Sequence, residues 1–160
     1  MRFFYTIIFY LLLPFILLRL WIKNRHNPAG LQFWYERLGI GLRPAPSGGI
    51  WLHAVSVGES LTAIPLIKAL QLRYPAIPIV VTNETINGAE RIRVGLGNSV
   101  TRLYFPYDLP LILKKFFNKL RPRLLILLET ELWPNLLATC HLYQVPVILI
   151  NGRLSERSAR

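Results

Sequence analysis

Glu59 has the clearest potential for chemistry in this sequence, because it lies where a predicted strand passes into a predicted helix. Residues 50–55 form a short apolar run typical of a strand, and a helical pattern follows the stretch SVGE at residues 56–59. At such a junction the strand delivers side chains into a crevice, and the free N–H groups of the helix face the same space. A carboxylate there can act as a general base. The position also suits a first-turn residue that only interacts with the helix dipole.

Four further acidic residues follow predicted strands in the same way. They are Glu84, Asp108, Glu129 and Glu131. Because the carboxyl ends of parallel strands meet at one edge of a sheet, we expect these side chains to collect there and to form a cleft that handles protons, hydroxyl groups or a sugar. Individually, Asp108 could cap the helix that follows it, and Glu129 could simply leave its strand into solvent.

The elements that must position these acids alternate regularly along the chain. Apolar strands without polar alternation, separated by helices, predict a parallel sheet covered on both faces, and therefore a Rossmann-like, doubly wound α/β domain. The predicted strands are residues 50–55, 78–82, 100–105, 124–128 and 145–150, and the predicted helices are residues 59–74, 88–96, 109–120 and 134–143.

Composition narrows the choice of partners. The formal net charge of +11 favours an anionic partner such as a phospholipid, a phosphorylated substrate or nucleic acid. Nucleic-acid binding is the least favoured, because basic and aromatic residues do not interleave on one exposed face. The single cysteine, Cys140, excludes an intrachain disulfide, and we expect no metal site and no cofactor, since neither zinc-like spacing nor a dinucleotide or P-loop fingerprint occurs.

The N-terminus predicts contact with a membrane. Residues 3–18 carry no charge, and Trp21 and several basic residues follow. We interpret residues 1–26 as an uncleaved membrane anchor or an interfacial helix, with the rest of the chain in the cytosol. The alternative is a core helix of a soluble protein. Residues 27–47 are predicted to be a short helix and a linker, and residues 48–160 the Rossmann-like domain.

Several motifs together resemble the 3-deoxy-D-manno-octulosonic acid (Kdo) transferases of lipopolysaccharide assembly. In chain order they are the apolar N-terminus running into RLWIK, YERLG at 35–39, WLHAVSVGES at 51–60, FPYDLP at 105–110, ETELWPN at 129–135 and NGRLSERS at 151–158. The resemblance implies a GT-B-type glycosyltransferase with two Rossmann-like domains, located at the cytoplasmic face of the inner membrane. Such enzymes transfer Kdo from CMP-Kdo to the phosphorylated lipid A precursor, without a metal and with inversion.

The resemblance also implies roles for individual residues. Glu59 corresponds to the proposed general base of the family. The residues expected to bind substrate are Ser56, Gly58, Glu129, Glu131 and Arg153.

Two departures from the family pattern affect this interpretation. The family usually reads like TTxTPTG after the second strand, but this sequence reads TNETING at residues 82–88 and adds Glu84. In addition, the family continues beyond the position of Arg160 into a donor-binding domain. We therefore expect this chain to be the acceptor-side half and to transfer no sugar by itself. The alternative is a non-catalytic, membrane-associated module, a truncated relic that binds lipid or a partner.

Overall fold

The computed structural model describes residues 2–24, 28–129 and 132–152 as an α/β domain with two N-terminal helices. The helices are α1 (Arg2–Asn24), α2 (Pro28–Arg37), α3 (Val57–Arg73), α4 (Ile86–Leu96), α5 (Pro110–Leu120) and α6 (Pro134–Leu142). The strands are β1 (Ile50–His53), β2 (Ile79–Asn83), β3 (Thr101–Tyr104), β4 (Leu124–Leu128) and β5 (Val147–Ile150).

The five strands form one parallel sheet in the order β3-β2-β1-β4-β5. The chain therefore forms β1 at the centre of the sheet and adds β2 and β3 on one side. It then crosses back and adds β4 and β5 on the other side of β1. This reversal places β1 and β4 side by side, and the predicted doubly wound α/β fold is confirmed. Their carboxyl ends flank the point where the strand order reverses, which is where such sheets bind ligands.

The sheet carries an apolar core on each face, because side chains of successive strand residues point to opposite sides. On one face, Trp51 of β1 is fully buried with the inner side chains of α5 and α6. On the other face, Leu52 is fully buried with the inner side chains of α3 and α4. Removing an aromatic side chain such as that of Trp51 from a core costs about 3–5 kcal/mol. These two cores hold β1 rigidly, and with it the loop that leads to Glu59.

Helices α3 and α4 approach each other closely. A side-chain Cβ at Gly95 of α4 would lie 2.4 Å from Ile64 Cδ1 of α3, so a larger residue there would require the Ile64 side chain to shift. Helix α4 begins at Ile86, two residues before the predicted start, because the Thr85 side chain accepts a hydrogen bond from the Gly88 N–H and caps the helix.

Helix α2 packs onto the domain. Its Phe33 is buried with its ring 4.5 Å from that of Tyr104, so this aromatic side chain is not available to a membrane surface. Its Glu36 is also fully buried, forms an ion pair with Arg43 and accepts a hydrogen bond from the Tyr104 N–H. The segment before β1 is therefore part of the packed structure.

Helix α1 is continuous through Pro14. Its window Arg2–Arg19 has a mean hydropathy of 1.7, which makes it long and apolar enough to cross a membrane on length and composition alone. No other helix in the described ranges meets that test.

His53 is a fully buried titratable group at the end of β1. Its ring stacks on Phe105 with centroids 3.8 Å apart, and its Nδ1 lies 3.1 Å from the Thr82 carbonyl oxygen. Burial lowers the pKa of His53 to about 3, the Arg37 charge lowers it further, and the hydrogen bond to Thr82 opposes the shift. His53 is therefore neutral in the folded protein at physiological pH.

We predict that His53 makes the domain sensitive to acid. An unfolded histidine takes up a proton below a pH of about 6.5, whereas folded His53 does not, so the stability present above that pH is lost as the pH falls toward 3. The loss is about 1.4 kcal/mol per pH unit. The free energy of unfolding, measured with urea at pH 7 and pH 5, should fall by about 2 kcal/mol less in His53→Gln than in the unmodified chain.

The matched control for this prediction is His141→Gln, since His141 is exposed. This variant should keep the pH dependence of the unmodified chain. Equal pH dependence in His53→Gln and the unmodified chain would exclude His53 as the source of the acid sensitivity.

Candidate functional site

Glu59 is buried at the carboxyl edge of the sheet and is held by a capping box. Its N–H donates to Ser56 Oγ at 3.2 Å, while its carboxylate accepts hydrogen bonds from the N–H groups of Val55 at 2.8 Å and Ser56 at 3.2 Å. Only 5% of the residue is exposed. Each carboxylate oxygen accepts one of these bonds and retains a further lone pair. The capping box therefore fixes the orientation of the carboxylate without using its full capacity as an acceptor.

Glu84 lies in the same cluster and is paired with Arg37 of α2. Arg37 Nη2 lies 3.0 Å from Glu84 Oε1, its Nε donates to the Phe105 carbonyl at 3.1 Å, and its guanidinium lies 4.5 Å from the centre of the Tyr107 ring. Burial raises the pKa of Glu84, the Arg37 charge opposes this, and the negative charge of Glu59 adds to it. Glu59 and Glu84 are thus electrostatically coupled.

Asp108 caps α6 rather than the helix that directly follows it. The N-cap of α5 is Leu109, which makes no side-chain capping bond, whereas the Asp108 carboxylate accepts hydrogen bonds from the N–H groups of Asn135 at 3.0 Å and Leu136 at 2.7 Å. The predicted capping of the next helix is therefore wrong. The N–H groups in the first turn of a helix have no partner inside that helix. Two such groups of α6 face Asp108 across the sheet edge, and its carboxylate accepts hydrogen bonds from both. Burial raises the pKa of Asp108, and these two hydrogen bonds oppose the shift.

Glu129 follows β4 and adopts a positive φ of 58°. Its N–H donates to the Ile150 carbonyl at 2.8 Å, which continues the pairing with β5 one residue past the end of β4. Within the described part of the chain, its half-buried carboxylate makes no hydrogen bond or ion pair. Left-handed backbone at a residue other than glycine is uncommon, and it is frequent at functional sites.

Of the four remaining predicted site residues, the structure describes Ser56 and Gly58. Ser56 is half-buried and is the N-cap of α3, and Gly58 is exposed in the first turn of that helix. A Cβ at Gly58 would meet only Ser56 Oγ, at 3.9 Å, so no steric constraint requires glycine there. Glu131 and Arg153 lie outside the described residues.

Sequence reasoning missed Arg37 and the two polar residues of α1 that reach the site. Burial and the nearby Asp108 carboxylate raise the pKa of the Tyr5 hydroxyl, and the Thr6 hydroxyl lies 3.1 Å from Asn135 Oδ1. Nothing local in the sequence indicates these contacts, because they join residues far apart in the chain. The one available signal was the position of Arg37 in the YERLG stretch.

Cavities are also present away from this edge. One of about 660 Å³ is lined by residues from the end of α6 and the segment leading into β5, which places it at the amino edge of the sheet. The acidic cluster lies at the carboxyl edge, so this cavity does not belong to the candidate site.

The parallel sheet with an acidic cluster at its carboxyl edge defines a Rossmann-like α/β domain of the kind that binds ligands at that edge. A family model described as "3-Deoxy-D-manno-octulosonic-acid transferase (kdotransferase)" matches residues 32–160. The chain belongs to this family of glycosyltransferases and represents its N-terminal part.

Individual relatives agree with the family match. The chain is 41% identical over 160 residues to a 3-deoxy-D-manno-octulosonic acid transferase of Haemophilus influenzae, which covers 99% of this chain and 38% of that protein. It is 38% identical over 156 residues to the transferase of the same name from Bordetella pertussis, covering 90% of this chain and 36% of that protein. A probable mitochondrial transferase of Arabidopsis thaliana is 36% identical over 126 residues, covering 78% of this chain and 28% of that protein.

We predict that the capping box contributes measurably to stability. Ser56→Ala removes the acceptor for the Glu59 N–H and should lower the free energy of unfolding by about 1 kcal/mol in urea titrations. The control is Thr62→Ala, because the exposed Thr62 hydroxyl bonds to the Gly58 carbonyl of its own helix and to no other group in the described part of the chain. That variant should change stability by less than about 0.5 kcal/mol. Equal losses in the two variants would contradict a specific contribution from the capping box.

Proposed function

We propose that this chain is the acceptor-side domain of a GT-B-type transferase that moves Kdo from CMP-Kdo to a hydroxyl group of the phosphorylated lipid A disaccharide precursor. Membership of the Kdo transferase family supports the class of reaction. The chain spans less than two fifths of the length of the bacterial relatives named above, and the donor would bind mostly to the domain that follows in such proteins.

The observation that carries this proposal is the placement of Glu59. Its carboxylate is buried at the carboxyl edge of β1 and held in a fixed orientation by two backbone N–H groups. In the proposed step, Glu59 takes the proton of the acceptor hydroxyl while the hydroxyl oxygen bonds to the anomeric carbon of Kdo. The bond from that carbon to the phosphate oxygen breaks, and CMP leaves with the electron pair. Attack from the face opposite the leaving group inverts the anomeric centre.

Other residues would bind rather than react. Gly58 and the free N–H groups at the start of α3 suit a phosphate or sugar oxygen, since helix N-termini attract anions. The carboxylate of Glu129, which has no partner among residues 2–24, 28–129 and 132–152, suits a sugar hydroxyl as a hydrogen-bond acceptor. We assign Ser56, Glu131 and Arg153 to substrate binding as well. The net charge of +11 agrees with a phosphorylated acceptor in an anionic membrane. The place of action would be the cytoplasmic face of the inner membrane.

One observation favours a second candidate, a non-catalytic membrane-associated module that binds lipid or a partner. Glu59, Glu84 and Asp108 all make bonds that have a purely structural explanation: a capping box, an ion pair and a helix cap. If those bonds are their whole purpose, the acidic edge needs no substrate. The two candidates differ in whether Glu59 is essential to turnover.

We predict that Glu59→Gln lowers Kdo transfer about 10²–10⁴-fold, the usual loss when a general base is removed. Glutamine keeps the shape of the side chain and one acceptor oxygen, so the domain should remain folded. The measurement is initial rate with CMP-Kdo and the lipid A precursor, using membranes from cells that express the native gene with this substitution.

The matched control is Glu90→Gln, because Glu90 is exposed on α4 and pairs only with Arg93 there. That variant should retain the unmodified rate. A rate within about threefold of the unmodified protein for Glu59→Gln, at equal protein level, would reject Glu59 as the base and favour the non-catalytic module.

A further inference from the structure

Helix α1 is covered by the domain on one side only. The side chains that are partly buried recur at spacings of one, three and four residues, so they lie on one face of the helix and take up about a third of its circumference. They are Tyr5, Thr6, Phe9, Leu13, Ile16 and Leu17.

Polar contacts fix the start of this inner face to the carboxyl edge of the sheet. The Thr6 hydroxyl lies 3.1 Å from Asn135 Oδ1, and the Phe9 ring is 6.1 Å from that of Tyr107. Burial raises the pKa of the Tyr5 hydroxyl, and the nearby Asp108 carboxylate adds to the shift. Asp108 in turn caps α6. The beginning of α1 is therefore attached to the same edge that carries the acidic cluster.

The outer face of α1 is apolar and exposed from Phe3 to Leu18. No charged residue occurs between Arg2 and Arg19. More than half of the surface is exposed for each of seven large apolar side chains between Arg2 and Arg19: Phe3, Phe4, Ile8, Leu11, Leu12, Phe15 and Leu18. A continuous apolar surface of this size requires a partner, because monomeric soluble proteins rarely expose one.

A lipid surface fits this helix better than any other partner does. Arg2 and Arg19 flank the apolar run and suit anionic head groups, while Trp21, 57% exposed, suits the interface between head groups and acyl chains. A spanning orientation fits poorly, because lipid surrounds a spanning helix on every exposed side. Here the domain flanks α1 from Tyr5 to Ile16, and spanning would carry buried polar groups such as Asp108 and Asn135 into hydrocarbon.

We propose that α1 lies in the plane of the membrane surface, with its outer face in lipid, and that Tyr5 and Thr6 hold the acidic edge of the sheet at the level of the head groups. This inference rests on the membrane location in the proposed function and is independent of the sugar chemistry. It means that a lipid acceptor reaches the site without leaving the bilayer.

The first test measures the depth of three positions on the outer face. Phe4→Cys, Leu11→Cys and Leu18→Cys lie seven residues apart, and each is given a thiol-reactive spin label in the 160-residue chain. The chain is bound to vesicles of 70:30 phosphatidylethanolamine and phosphatidylglycerol, and depth is read from collisions with oxygen and a water-soluble nickel complex. The unmodified chain is the labelling blank, because Cys140 is buried.

An in-plane helix predicts three depths that agree within about 3 Å. In a spanning helix, neighbouring labels would differ in depth by about 10 Å, since seven residues rise about that far along the axis. Such a spread would overturn the proposal, as would labels that remain fully accessible from water. Neither result would bear on Glu59, because no donor or acceptor sugar is present.

The second test concerns Tyr5 and Thr6, the polar clamp that holds α1 to the carboxyl edge of the sheet. The double variant Tyr5→Phe/Thr6→Val removes both hydroxyl groups and leaves the outer face intact, so we expect unchanged binding to the same vesicles. Energy transfer from a donor dye at Ile86→Cys, an exposed position at the carboxyl edge, to dyes on the lipid head groups should fall by at least a third. Tyr10→Phe, on the exposed side of α1, is the matched control and should change neither quantity.

Unchanged energy transfer in the double variant would overturn the clamp, and loss of vesicle binding by folded protein would overturn the role of the outer face. Far-UV circular dichroism establishes folding. If the double variant is unfolded, the single variant Thr6→Val, which removes the hydroxyl that lies 3.1 Å from Asn135 Oδ1, is read in its place by the same two criteria.

Discussion

The structure depends on how the backbone N–H groups at the carboxyl edge of the sheet find acceptors. Every helix that follows a strand presents free N–H groups at this edge, and burying them without acceptors would be costly. Glu59 accepts from the turn before α3, Thr85 accepts at the start of α4, and Asp108 accepts from the start of α6. Glu59 and Asp108 are therefore structural groups first. Any chemistry there uses side chains whose positions the backbone has already determined.

This dual use explains why the site is rigid. A carboxylate held by two N–H groups cannot rotate away from its crevice, so an incoming hydroxyl would meet it in one orientation. Such preorganisation lowers the reorganisation needed during a reaction. Glu129 differs, because its carboxylate is unpaired among the described residues and its backbone is left-handed. This difference agrees with the proposal that Glu59 transfers a proton and Glu129 binds substrate.

The N-terminal helices complete the edge rather than merely precede the domain. Arg37 of α2 neutralises Glu84, and Tyr5 of α1 reaches Asp108. Without the positive charge of Arg37, Glu84 and Glu59 would be two coupled carboxylates in a poorly solvated space, which is unfavourable. In this member of the Kdo transferase family, the acidic edge therefore lies beside the N-terminal helix with the exposed apolar face.

The sequence by itself determined the alternation of strands and helices, the parallel sheet and the location of Glu59 at a strand end. These features follow from local patterns: the apolar run at residues 124–128 matched β4 throughout, and no boundary of another strand or of helices α3 to α6 moved by more than two residues. Tertiary structure alone decided which acceptor each N–H group uses. Asp108 caps α6 instead of α5, and Arg37 pairs with Glu84, because these partners come together only when distant segments pack. Local periodicity reports which side of an element is apolar, but it carries no information about which distant polar group will lie opposite.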